Sequence, residues 1–285
     1  MPYQKVNDIQ IYYELHGPEN ADVIVLSNGI FMSTASWGFQ VAEFKKHFRV
    51  LLYDCRGMWQ SDHPAGPYSM EQHADDLAAL LTALGIEKAH IGGISYGGEI
   101  SMVFALKYPG RTRSVIISSA VSQIDPMLQV MGASWMSALH NNDADTLFEV
   151  TFPANFSEPW IAANKGIMEP TRRKYHQMDL KAAEELMLAF SKIDFTGELK
   201  GITASALILV GELDILKSRK YAEIIAQEIP GAELSISCVM SRRRISFSRT
   251  CVRNSFCPSK AAVIACCIGW LAHSRARKSL LIAAT

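Results

Sequence analysis

The run Gly92-Gly93-Ile94-Ser95-Tyr96-Gly97-Gly98 contains the pattern G-x-S-x-G. A serine hydroxyl can attack a carbonyl carbon when a base takes its proton, an acid orients that base and backbone amides hold the resulting oxyanion. The pattern carries this meaning only where a strand runs into a sharp turn and a helix leaves it. Elsewhere it is an ordinary glycine-rich turn. Here a strand-like run, Lys88-Ala89-His90-Ile91, precedes it, and a helix-like run from Glu99 to Leu106 follows it. The first amides of that helix would point at Ser95, where their partial positive charge suits an oxyanion.

Carboxylates stand just past a second apolar run. Leu209-Val210-Gly211-Glu212-Leu213-Asp214 reads as a buried strand ending in a turn that carries Glu212 and Asp214. Either could orient a base, and Asp214 could equally cap the helix that follows. A third run, Val23-Ile24-Val25-Leu26, leads into Ser27-Asn28-Gly29-Ile30-Phe31, where Asn28 could fix the loop or simply make a turn.

The elements that would position these groups alternate. Ile9–Glu14 alternates like an early antiparallel strand, and Phe48–Tyr53 is a further apolar strand. Ser69–Leu84 reads as a helix with Ser69 as cap, Ala74, Leu77, Leu80, Leu81 and Leu84 on one face, and Gly85 as stop. Val115–Ile117 and Ala206–Val210 add strands, Tyr221–Glu228 a helix and Ala232–Ile236 a last strand. This order predicts an α/β fold: a doubly wound, mostly parallel sheet. Between Val121 and Gly201 the order breaks into a helical stretch rich in Met, Trp and Phe, including Trp135 and Trp160. It reads as a helical lid inserted between two strands. The expected divisions are 1–120 and 202–236 for the two parts of the core, 121–201 for the lid and 237–285 for a tail of different character.

Those motifs together resemble the α/β-hydrolase superfamily, with greatest likeness to 3-oxoadipate enol-lactonase-like hydrolases and their esterase relatives. The likeness spans roughly residues 9 to 236. It rests on Leu26-Ser27-Asn28-Gly29, Tyr53-Asp54-Cys55-Arg56-Gly57, Ser61-Asp62, Gly66-Pro67-Tyr68-Ser69 and the Ser95 turn. The chain departs from the family in three places: Asn28 stands where His is usual, Trp59 where glycine is common, and Tyr96 where enol-lactonases often have Met. The resemblance implies that Ser95 is the nucleophile and that Asp214, in a G-x-x-D turn, is the acid. It also implies that the amides of Ile30 and Tyr96 hold the oxyanion. No cofactor and no metal are implied, and an acidic residue in place of Ser95 would have pointed to other chemistry.

The family order then requires a histidine soon after the last strand. Residues 237–245 hold none, and His273 is the only histidine after Asp214. Its plainer reading is a solvated tail residue beside Arg275 and Arg277. His16, His47, His63, His73, His90, His140 and His176 precede Asp214 and fit no position the resemblance implies.

The tail is anomalous in composition. The chain has 285 residues with 28 basic and 28 acidic side chains, yet the last acidic residue is Glu233. Nine basic residues and five of the six cysteines follow it, so the preceding part is acidic by nine charges and the tail basic by nine. Charge, cysteine use, loss of acidic residues and the missing histidine turn all change at one boundary. A frame slip or misjoined exon near Ile236 would produce all four, and the tail is expected not to be the family's native ending. The cysteine spacings match no paired zinc pattern. A body with Cys55 alone suits a reducing, cytoplasmic compartment. No run is long enough to span a membrane, and no secretory leader is seen.

The expected activity is hydrolysis of a small ester, lactone or related carbonyl compound by a Ser-His-Asp type mechanism. The expected partner is that small-molecule substrate, not nucleic acid or membrane, and no feature specifies an oligomeric state. Two alternatives share the residues: a catalytically silent ligand-binding fold, and a carbon–carbon hydrolase or acyltransferase with the same Ser95 turn.

Overall fold

The computed structural model describes residues 2–237; His273 and the rest of the tail beyond Ser237 lie outside the described residues. Eight strands form one sheet: β1 Tyr3–Val6, β2 Ile9–His16, β3 Val23–Ser27, β4 Arg49–Tyr53, β5 Ala89–Ile94, β6 Thr112–Ser118, β7 Ser205–Gly211 and β8 Glu233–Ser237. Their spatial order is β1-β2-β4-β3-β5-β6-β7-β8. β1 and β2 pair antiparallel, as do β2 and β4, and every later pairing is parallel. The doubly wound, mostly parallel sheet expected from the alternation of strand-like and helix-like runs is present.

The apolar runs alternate between two faces, as a pleated strand requires. Val25, Leu51, Ile91, Val115, Ile117 and Ile208 face one core. Ile24, Leu26, Val50, Leu52, Ile116, Leu207 and Leu209 face another, covered in part by Trp37, Phe44 and Phe48. Helix α1, Gly38–Phe44, supplies Phe44 on that second face. Helices α2 (Met70–Ala83) and α3 (Tyr96–Lys107) cover the first face. Ser69 caps α2 by accepting from the Gln72 amide, and Gly85 leaves the helix at φ +68°, a conformation glycine adopts without steric cost. The buried Arg56 guanidinium bonds Asp76 of α2 and Asp8 of the β1–β2 turn, tying the antiparallel edge to the helix layer.

The central strands share a register. Ser27, Gly93, Ile117 and Ile208 lie in one row across β3, β5, β6 and β7, and β7 runs three residues past that row, to Gly211. The loops leaving β3, β5 and β7 therefore emerge along one rim.

Five helices stand between β6 and β7: α4 Pro126–His140, α5 Ala144–Asn155, α6 Glu158–Ala163, α7 Met168–Tyr175 and α8 Leu180–Phe190. They have an apolar core of their own, including Leu128, Trp135, Leu139, Leu147, Leu180 and Met187. That core continues into Leu216, just after β7, and packs on Ile30 and Phe31, just after β3. These helices thus sit against the rim. Helix α9, Arg219–Glu228, follows and buries Ala222 and Ile225 on the first face.

Candidate active site

β5 delivers Ser95 to the rim, and α3 begins at the next residue. Ser95 has φ 52° and ψ −120°, a conformation that L-residues adopt only when their surroundings enforce it. The surroundings are visible. The Ser95 amide donates to the Ser118 carbonyl at 2.9 Å, and its own carbonyl accepts from Gly98 and Glu99 at 2.7 and 3.1 Å. A side chain on Gly93 would overlap the Gly97 carbonyl, and one on Gly97 would overlap the Ser27 carbonyl. The spacing G-x-S-x-G is thus the minimum the turn permits. The Ser95 hydroxyl makes no hydrogen bond among the described residues.

The loop after β3 is a tight turn, closed by the Met32 amide on the Gly29 carbonyl at 3.1 Å, with Phe31 at φ 65°. Asn28 is fully buried and holds it. Its Nδ2 donates to the Tyr53 carbonyl at 3.1 Å and to Asp54 at 3.0 Å, while its Oδ1 accepts from Trp37 Nε1 at 2.7 Å. Asn28 is therefore more than a turn residue. Asp54 also accepts from the amides of Thr34 and Gln60. Burial pushes its carboxyl up to about 6, against the pull of those donors. The amides of Ile30 and Tyr96 donate no hydrogen bond among the described residues.

Asp214 lies in the turn after β7. One carboxylate oxygen, Oδ1, accepts from the Leu216 and Lys217 amides at 3.1 and 2.7 Å. The local capping expected of such an Asp is present. It consumes one oxygen only, and Oδ2 makes no hydrogen bond among the described residues. Glu212 is exposed, while Asp214 is half-buried. β5 and β7 are separated by β6 alone, which puts the two strands about 10 Å apart.

No described histidine hydrogen-bonds Ser95 or Asp214. His73 is buried between Tyr96, whose hydroxyl it meets at 2.8 Å, and Tyr68; burial lowers its pKa to about 3. His90 meets Ser114, His16 meets Glu14, His140 meets Glu184 and His176 meets Asp145. His63 meets Asp179 through Nδ1 at 3.1 Å, and its buried Nε2 has no partner. It lines a small cavity with Phe31, Met58, Trp59, Met178 and Leu186. Trp135 packs within 6.2 Å of the Phe31 ring and is buried, so it acts inside the helical core as much as above the rim.

Sequence reasoning missed a buried ion pair beside this site. Lys217 Nζ meets Glu99 Oε1 at 2.8 Å, with both side chains almost wholly buried. The signal was a glutamate interrupting the apolar run of α3 and a lysine three residues past Asp214. Among the described residues, no group of acidic, histidine or cysteine side chains is arranged to hold a metal, and no helix is long and apolar enough to cross a membrane.

Residues 22–238 match the alpha/beta hydrolase fold family. The chain is 30% identical over 231 residues to RutD of Pantoea ananatis, a protein named for carbamate hydrolysis, covering 78% of this chain and 83% of that protein. It is 28% identical over 216 residues to 3-oxoadipate enol-lactonase 1 of Acinetobacter baylyi, covering 76% and 80%. Among solved structures, the enol-lactonase of Burkholderia xenovorans superposes with a TM-score of 0.77 at 28% identity, covering 82% of this chain and 90% of that one. A thermophilic esterase of Thermogutta terrifontis does so with a TM-score of 0.74 at 25% identity, covering 81% and 85%.

Proposed function

The chain belongs to the alpha/beta hydrolase fold family, and on that premise we propose that it is a serine hydrolase of small esters, lactones or carbamates. Ser95 Oγ attacks the carbonyl carbon. The amides of Ile30 and Tyr96 take up the charge that develops on the carbonyl oxygen. A histidine receives the hydroxyl proton and returns it to the leaving group, and water then releases the acyl group by the reverse path. Asp214 orients that histidine through Oδ2. Ser95 and Asp214 leave β5 and β7, which are separated by β6 alone, and the imidazole would stand between them. His273 is the single histidine outside the described residues, and the base is sought there. Helices α4–α8 act as the lid that sets substrate size. Cys55, buried and free among the described residues, suits a reducing compartment, and on that ground we propose a cytoplasmic location.

The observation that carries this reading is Ser95: a strained residue at a strand–helix junction whose hydroxyl, like the amides of Ile30 and Tyr96 in the adjoining turns, has no hydrogen-bond partner among the described residues. The test is turnover of p-nitrophenyl acetate, a γ-lactone and a simple carbamate. Ser95→Ala should reduce it about a thousandfold or more, and His273→Ala comparably. Undiminished turnover in Ser95→Ala refutes the reading.

One observation favours a second reading, a silent ligand-binding fold: none of the seven described histidines reaches Ser95 or Asp214. No turnover by the parent chain, together with thermal stabilisation by a γ-lactone, would select it.

A further inference from the structure

Lys217 occupies an unusual position. Its backbone amide donates to Asp214 Oδ1 at 2.7 Å, while its ammonium reaches Glu99 at 2.8 Å. Glu99 lies one helical turn beyond Ser95, and its amide donates to the Ser95 carbonyl. The same Glu99 oxygen accepts from the Val121 amide at 2.9 Å, where the chain leaves β6 for the inserted helices. The ammonium also lies 4.1 Å from the centre of the Phe190 ring, at the end of the last of those helices. The two residues together thus join the turn of Asp214, the helix of Ser95 and both ends of the inserted segment.

From these contacts we propose that Lys217 and Glu99 form a positioning pair that fixes the Asp214 turn relative to Ser95. This rests on the reading of Ser95 and Asp214 given above.

Stability does not explain the pair. Burying two charges costs desolvation that their attraction only partly returns, and apolar replacements of similar volume are often as stable. Glu99 Oε2 is buried with no partner among the described residues, and burial raises the Glu99 carboxyl above its ordinary range. What an ion pair supplies and an apolar contact does not is direction. The ammonium has one position that serves Glu99 and the Phe190 face together. Its own backbone is then held where its amide meets Asp214. A methionine would fill the space but would let the turn rotate.

The test is the double variant Glu99→Leu/Lys217→Met, which leaves no unpaired buried charge. It should fold, with a melting temperature close to the parent's. Amide hydrogen exchange at Leu216 and Lys217 should quicken about tenfold or more, with the β5 amides unchanged. Turnover of p-nitrophenyl acetate should fall about tenfold in kcat with KM within twofold. Should the double variant melt far below the parent, the single variant Glu99→Gln is read by the same exchange measurement at its own permissive temperature. Parent-like exchange at Leu216 and Lys217 in a folded variant overturns the proposal. The exchange readout is independent of turnover. A parent that hydrolyses nothing defeats the reading of Ser95 and Asp214 as catalytic, while the exchange result still decides whether the pair positions the turn.

Discussion

The conformation of Ser95 should have a measurable cost, separable from its chemistry by two substitutions at one position. With φ at 52° and ψ at −120°, Ser95 occupies a region that costs a residue with a Cβ roughly 1–3 kcal/mol. Ser95→Ala removes the hydroxyl but keeps the Cβ and therefore the strain. Ser95→Gly removes both. Glycine also makes the unfolded chain more flexible, which offsets about 0.5–1 kcal/mol of the relief. The glycine variant should therefore be the more stable of the two by about 1 kcal/mol, or about 3 °C in melting temperature for a domain of this size. Neither should turn over p-nitrophenyl acetate. Calorimetry on the two variants, in one buffer and at one scan rate, reads the difference directly. A glycine variant that melts at or below the alanine variant refutes the assignment of strain to this residue.

Trp37→Phe should leave Asn28 Oδ1 without its donor in a buried place, costing about 1–3 kcal/mol in urea unfolding and lowering turnover through the loop of Ile30. Gly97→Ala should abolish turnover and destabilise the fold, since the added methyl meets the Ser27 carbonyl; parent-like activity would contradict the packing described. Trp135→Ala should cost about 3–5 kcal/mol, because this side chain is buried inside the helical core; a loss under 1 kcal/mol would contradict that placement. His73, lowered to about 3 by burial, makes stability fall with acid: the unfolded chain takes up its proton below pH 6.5 and the folded chain does not until near pH 3. Asp54, raised to about 6, works the other way between pH 6 and 3.8, because there the folded chain holds a proton the unfolded chain has released. His73→Gln should therefore lose less stability than the parent between pH 6.5 and 4, by urea midpoints, and an unchanged pH dependence would refute it.

The order of strands and helices was legible because each central strand is apolar on both faces and several helices carry a side-chain cap. Ser69 and Gly85 act at α2 as their residue types suggest. Tyr3–Val6 was not legible as a strand: it is a short edge of four residues, and only Val6 is buried. Helix α1 was not legible either, for its seven residues bury only Gln40 and Phe44. At the candidate site, Ser95 and Asp214 could be read from local pattern, since turn chemistry is local. The Asn28–Trp37–Asp54 network was half legible: Asn28 could be suspected of holding the loop, but its partners depend on a strand 25 residues away. Glu99 interrupts an apolar helix, but its pairing with Lys217 could not be read, the two being 118 residues apart with no shared periodicity.

The row Ser27–Gly93–Ile117–Ile208 is a ruler from which the positions of Ser95 and Asp214 are counted. One residue inserted within β5 would advance Ser95 about 3.3 Å and turn the rest of the strand to the opposite face. The same insertion between α6 and α7 would alter no register. Tolerance to changes of length should accordingly fall into two classes, with almost none inside the four central strands and generous room between β6 and β7. Exchange of the stretch 126–190 between relatives should likewise leave the counted positions of Ser95 and Asp214 as they are.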